Sequence, residues 1–234
     1  MIAGLQKMTL LDYPGKVACT VFLQGCNYAC PFCHNSPLLP FEAQPCMEED
    51  ALIAFLEKRK GILEGVCITG GEPTLQPGLE RMLRRIKALG YAVKLDTNGS
   101  RPAVLRRLAG EGLLDYVAMD VKNSLSRYGQ TVGVPGLNLA PVEESLAFLI
   151  GGEVPYELRT TLVQQLHDEA SMTEMGQWIA SLVPGKKPAA LYLQSFVDRE
   201  TVAFDGLSAP DSTQREAFRA LLAPFAEQVH LRGE

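Results

Sequence analysis

The sequence is short of several things, and each shortage narrows what the chain can be. Its 234 residues contain no apolar run near the roughly 18 residues of a membrane-spanning helix. The opening MIAGLQKMTLLDYPGK lacks the basic start and long apolar stretch of a secretory signal, so the expected location is the cytoplasm, away from membranes. Basic residues are in deficit. Lys and Arg number 22 against 27 Asp and Glu, a net charge of −5, which argues against general nucleic-acid binding. No repeat, low-complexity tract or linker breaks the chain, and its length suits one domain, 1 to 234. Six cysteines in the expected compartment argue against a disulfide framework and for reduced thiols, some of them binding metal.

What the sequence does have is alternation. Short β-branched, apolar runs at 16 to 23, 65 to 69, 91 to 96, 115 to 121, 156 to 163 and 189 to 194 read as strands. Between and after them, 48 to 59, 77 to 89, 101 to 110, 140 to 150, 170 to 182 and 211 to 226 read as helices. The stretch 77 to 89 is the clearest, with Leu79, Met82, Leu83, Ile86 and Leu89 at 3/4 spacing and Arg and Lys elsewhere. Short βα connections favour parallel strands with right-handed crossovers. Six such units fall short of the eight in a closed barrel, so the expected fold is α/β, an open partial (β/α)6 barrel. The two longest aperiodic segments, 123 to 139 and 195 to 210, are candidate active-site loops.

In parallel α/β folds the loops after the strands' C-terminal ends build the site. Here those ends read GCNYACPFCHN after the first strand, TGGEP after the second, DTNG after the third and MDVK at the fourth, with Arg159 in the fifth. Cys26, Cys30 and Cys33 stand at C-x3-C-x2-C with no fourth cysteine beside them. Zinc is one reading, but its sites come as paired C-x2-C or with histidine at matched spacing, and His34 is adjacent to Cys33. An iron–sulfur cluster held by three thiolates is the other, and it leaves one iron open to a ligand. Cys19 and Cys67 lie in apolar strand runs and read as buried small hydrophobes. Cys46 reads as a loop residue too isolated to be a fourth ligand.

The C-x3-C-x2-C run with aromatic Phe32 before its last cysteine resembles the signature of the radical S-adenosylmethionine (SAM) superfamily, and GGEP at 70 to 73 resembles its second motif. With CHN, DTNG and D-x-K (Asp120, Lys122) in order, the chain is similar to glycyl-radical-enzyme activating proteins. Its N-terminal part is most similar to the branch that activates anaerobic ribonucleoside-triphosphate reductase.

The resemblance implies a [4Fe-4S] cluster on Cys26, Cys30 and Cys33, with SAM on the open iron. It implies SAM contacts from Phe32, Gly70, Gly71, Glu72, Asp96, Thr97, Asn98, Lys122 and Arg159. A monovalent cation would be held by Asp96, Thr97, the Ala118 carbonyl and Asp120; two carboxylates at neighbouring strand ends repel unless positive charge intervenes. A plain ion pair of Asp120 with Lys122 is the structural alternative. Gln194 and Phe196 would border the adenine, and His34 and Asn35 would fix the loop by hydrogen bonds. His167 and His230 are expected at the surface and Trp178 in the core.

The implied activity is hydrogen abstraction from a glycine Cα in a partner glycyl radical enzyme. Auxiliary-cluster cysteines are absent, so an external one-electron donor such as flavodoxin or ferredoxin is expected. The alternatives are a radical SAM enzyme acting on a small molecule or peptide, and a zinc-bound scaffold.

Overall fold

The computed structural model describes residues 1–42 and 44–233. In chain order the strands are β1 (Ile2–Thr9), β2 (Ala18–Leu23), β3 (Gly65–Gly70), β4 (Ala92–Thr97), β5 (Tyr116–Asp120), β6 (Tyr156–Leu162), β7 (Leu191–Ser195) and β8 (Val229–Arg232). The helices are α1 (Glu49–Glu57), α2 (Leu79–Ala88), α3 (Pro102–Gly110), α4 (Tyr128–Thr131), α5 (Ala140–Gly151), α6 (Glu169–Leu182) and α7 (Ser212–Leu222). One eight-stranded sheet runs in sequence order from β1 to β8 without closing. β1 is antiparallel to β2, while β2 with β3, β3 with β4, β6 with β7 and β7 with β8 are parallel. The α/β fold and the open sheet are as expected, and each of the six expected strands is present within three residues of its expected ends.

Two strands were not expected. β1 is an edge strand in which only Ile2 and Thr9 are buried, and its pairing with β2 slips twice, so no period-2 signal survives in the sequence. β8 has four half-buried residues, too few to show a period. It exists because the expected helix 211 to 226 ends early. Pro224 lacks an N–H and its ring crowds the carbonyl one turn back, so α7 stops at Leu222, and the chain turns through Ala223–Phe225 into β8. The aperiodic segment 123 to 139 also contains the single turn α4.

The internal contacts group into two compact units. The first comprises Met1–Asn27, Pro37–Thr97 and Arg101–Ala118. Its core is the apolar faces of β2, β3 and β4 with the helix residues Leu52, Leu56, Leu83 and Ile86, all fully buried. Each large aliphatic side chain of this kind contributes roughly 1.5–3 kcal/mol relative to exposure. Cys19 and Cys67 are part of it, as expected. The second unit comprises Tyr28–Ser36, Asn98–Ser100 and Met119–Glu234. There Leu146, Leu149, Leu158, Leu162, Met172 and Met175 are buried, and α6 opens with a capping box between Asp168 and Ser171. Trp178 is core, as expected; its ring meets Tyr128 edge-on at 5.9 Å and its indole N–H donates to Glu143 at 2.9 Å.

Candidate active site

The cysteine loop leaves β2 with its first residues tied down in the first unit. The Gly25 N–H donates to Leu38 at 2.7 Å, the Cys26 N–H to Leu39 at 3.1 Å, and the Gln24 amide to the Pro40 carbonyl at 2.7 Å. The rest of the loop belongs to the second unit. Cys33 N–H closes a turn on Cys30 at 3.1 Å, and Ala29 N–H reaches Val132 at 2.8 Å. None of the three thiols is in a disulfide, and all are half-buried. Burial pushes the Cys33 thiol up, against an Asn35 backbone hydrogen bond and the charge of Lys122. By donor type, three thiols outside any disulfide on a loop tied at both ends are what a soft-metal cluster takes.

His34 fixes the loop, as the sequence suggested. One ring nitrogen lies 2.7 Å from the Val197 carbonyl, and the ring stacks on Phe196 with centroids 5.6 Å apart. Next to it, the Ser36 hydroxyl donates to the Thr201 carbonyl. Phe32, 4% exposed, forms an apolar cluster with Val163 and Phe196, against which Cys30, Val202 and Leu207 pack. The segment 195 to 210 therefore lies along the cysteine loop. Phe196 is spent on this packing, while Gln194 is half-buried at the end of β7.

In the first unit the TGGEP turn sits tightly on the start of the same loop. Gly71 N–H donates to Leu23 and Glu72 N–H to Gly25, both at 2.8 Å. A Cβ on Gly71 would fall 2.1 Å from the Gly25 carbonyl oxygen, and Gly70, at φ +119°, would place one 2.3 Å from that of Leu23. Only glycine allows this approach. With these two N–H groups committed, the ligand-binding capacity left to the turn is in its carbonyl oxygens; that of Glu72 accepts from the Leu75 N–H at 3.2 Å, and a carbonyl can take a second donor such as an ammonium. The Glu72 side chain has a different task. It is 1% exposed, and its Oε1 accepts from the Thr74 N–H at 3.0 Å, from the Thr97 hydroxyl at 2.8 Å and from the Thr74 hydroxyl. That network locks the turn after β3 to the end of β4.

Asp96 pairs with Lys94, a lysine only 2% exposed. Ala118 is fully buried in β5.

In the second unit β5 and β6 present a charged group. Asp120 Oδ2 accepts from Lys122 Nζ at 2.9 Å, and Oδ1 from Arg159 Nε at 2.9 Å. Burial would raise the Asp120 carboxyl, but the two cations outweigh it and hold it at about 2. Burial likewise opposes the Lys122 ammonium, and Asp120, then Cys30, reverse the balance and raise its pKa. The ammonium lies 5.9 Å from the centroid of the Phe32 ring. Arg159 thus has the partner its place inside a strand demanded. Asn98, 6% exposed, accepts from the Ser100 N–H at 2.9 Å and shapes the turn after β4.

The sequence misplaced one histidine. His167 is 3% exposed, not at the surface: its Nδ1 accepts from Val163 N–H and its Nε2 meets the Lys122 carbonyl, both at 3.0 Å. The ring clips the end of β5 to the end of β6, and a hydrogen bond at each nitrogen is what makes the burial tolerable. His230 is half-buried, stacked on Tyr192 at 4.8 Å. Lys94 was missed as well, though a charge inside the apolar run YAVKLD was the signal. Cys46 is exposed, as expected.

Comparison with known proteins gives a consistent picture. The profile of the Radical SAM superfamily matches residues 20–149. A Methanocaldococcus jannaschii protein named "Putative glycyl-radical enzyme activating enzyme" is 31% identical over 99% of this chain and 95% of its own length. A 7-carboxy-7-deazaguanine synthase of Thermococcus kodakarensis is 27% identical over 76% of this chain and 74% of its own. Among solved structures, a domain of pyruvate-formate lyase-activating enzyme from Bacteroides vulgatus superposes with TM-score 0.58 at 20% identity, over 72% of this chain and 99% of that one. Streptococcus suis SuiB bound to its precursor peptide superposes with TM-score 0.70 at 12% identity, over 92% of this chain and 48% of that one.

Proposed function

Since the chain belongs to the radical SAM superfamily, we propose that it is an activating enzyme, one that removes a hydrogen atom from a glycine Cα of a partner glycyl radical enzyme and leaves a protein radical there. The observation that carries this reading is extent. Likeness to the M. jannaschii relative spans 99% of the chain, including the parts outside the shared cofactor motifs.

The protein uses a [4Fe-4S] cluster and SAM. When bound, they supply the reductive cleavage of SAM to methionine and a 5′-deoxyadenosyl radical. The protein's own contribution is to bind, orient and shield. Cys26, Cys30 and Cys33 hold the cluster. The carbonyls of the Gly70–Gly71–Glu72 turn take the SAM ammonium, while Lys122 and Arg159 orient its carboxylate. Phe32, packed on Val163 and Phe196, keeps water from the cluster side. Asp96 and Thr97 at the end of β4 and Asn98 just after it complete the SAM site.

In this reading one domain carries the whole activity, in the cytoplasm. The partner is an anaerobic ribonucleoside-triphosphate reductase, and the electron comes from an external donor such as flavodoxin or ferredoxin. No helix among the described residues is long and apolar enough to cross a membrane. Membership of the superfamily sets aside the zinc scaffold.

A second reading, a radical SAM enzyme for a small molecule, is favoured by the likeness to the deazaguanine synthase. One experiment separates the two. Anaerobically reconstituted protein, SAM and a reductant are mixed with an anaerobic ribonucleotide reductase, and electron paramagnetic resonance is recorded. A glycyl radical doublet that requires all components supports the activating enzyme; SAM cleavage without any radical on the reductase sinks it.

A further inference from the structure

Side chains two residues apart on a strand share a face, so Lys94 and Asp96 project from β4 in the same direction. Parallel register sets Cys67 of β3 beside Lys94. The three groups close on one another: Lys94 Nζ bonds Asp96 Oδ1, and the Cys67 sulfur lies 3.9 Å from the ammonium and 3.8 Å from the carboxylate. A lysine that is 2% exposed must have a counter-charge, and Asp96 is that charge.

The monovalent cation implied by the family resemblance does not fit these residues. The same oxygen of Asp96 already carries an ammonium. In the second unit Asp120 takes one cationic side chain on each oxygen. A free cation at either carboxylate would meet a fixed positive charge already bonded to that carboxylate.

We infer that Lys94 is the built-in counter-ion of Asp96, a positioning residue that fixes this carboxylate without Na+ or K+, so that SAM binding by this protein is independent of monovalent metal ions. The inference rests on the proposed place of Asp96 in the SAM site.

The test is the SAM affinity of the anaerobically reconstituted protein at fixed ionic strength, first in tetramethylammonium chloride, then with K+ or Na+ replacing it. Affinities within about twofold are expected, and a loss of about tenfold or more without metal cation overturns the inference. Lys94→Met keeps the length of the side chain and removes its charge. It should lose about tenfold in tetramethylammonium and recover in K+ or Na+. An unchanged affinity, or a loss that neither ion restores, counts against the inference.

A second readout needs no turnover. K+ should raise the thermal unfolding midpoint of Lys94→Met and leave that of the wild type where it is; equal shifts in both would overturn the inference. If Lys94→Met does not fold, the wild-type salt comparison decides alone. Asp96→Asn separates the two layers of the reading. Unchanged SAM affinity in that variant removes Asp96 from the SAM site, whereas a sensitive variant with a cation-dependent wild type leaves the site standing and removes only the role of Lys94.

Discussion

Asp96 and Asp120 lie at the ends of neighbouring strands, and each is bonded to a lysine two residues away, yet the two pairs differ in kind. Lys94 precedes its carboxylate and lies inside β4, with side-chain exposures of 2% for the lysine and 14% for the aspartate. Lys122 follows its carboxylate beyond the end of β5, where the exposures rise to 16% and 28% and Arg159 joins the group. Which side of the carboxylate the lysine falls on decides whether the pair is sealed into the sheet or stands at its rim. The sealed pair holds its carboxylate in place for the proposed site; the rim pair also has charge to offer a ligand.

The largest effect would come from removing what both pairs are proposed to serve. Replacing Cys26, Cys30 or Cys33 by alanine should abolish the cluster, read as iron and sulfide content and visible absorbance, and SAM cleavage with it. The two pairs should then part company when each is broken. Lys94→Met, measured by denaturant unfolding in tetramethylammonium, should cost about 3 kcal/mol because it strands a nearly buried carboxylate. Lys122→Met, with Arg159 still on Asp120, should cost nearer about 1 kcal/mol and show its main loss in SAM binding. Equal stability losses would erase the distinction.

Acid sharpens the same contrast. Asp120 is held at about 2 in the folded chain, against about 3.9 when unfolded, so its contribution is present above about pH 4 and lost as pH falls toward 2. Asp120→Asn should flatten that part of the stability profile, worth about 2 kcal/mol. His167 acts earlier on the same descent. Burial lowers its pKa, so the folded protein holds it neutral, and its contribution fades as pH drops below about 6.5 toward the depressed folded value. His167→Phe should remove this dependence. The smallest effect belongs to exposed Cys46, whose replacement by serine should leave cluster content and SAM cleavage unchanged.

How much of this was legible in the sequence varied with the range of the interaction involved. Local periodicity was enough for α2, whose Leu79, Met82, Leu83 and Ile86 are all buried as their spacing predicts. It was enough for the six inner strands, because a strand covered on both faces reads as an unbroken apolar run. It failed at β1 and β8, where an edge position leaves most residues in contact with water and the apolar pattern fades.

At the site, the motif residues were visible because their chemistry needs particular residue types at particular spacings. His167 was not, since nothing near it in sequence names the carbonyl of Lys122, 45 residues earlier, as its partner. Lys94 stood in plain view inside an apolar run, and only the register with Cys67 gives it a meaning.

The bond from His34 to the Val197 carbonyl spans 163 residues of chain. A ribosome adding about 5–20 residues per second needs on the order of ten seconds or more to cover that distance. For all of that interval the three thiols of the loop are in place while the segment that ties down His34 and Ser36 has yet to be made. Translation itself thus opens an interval in which the thiols exist without the contacts that fix the end of their loop. Slower synthesis lengthens that interval in proportion.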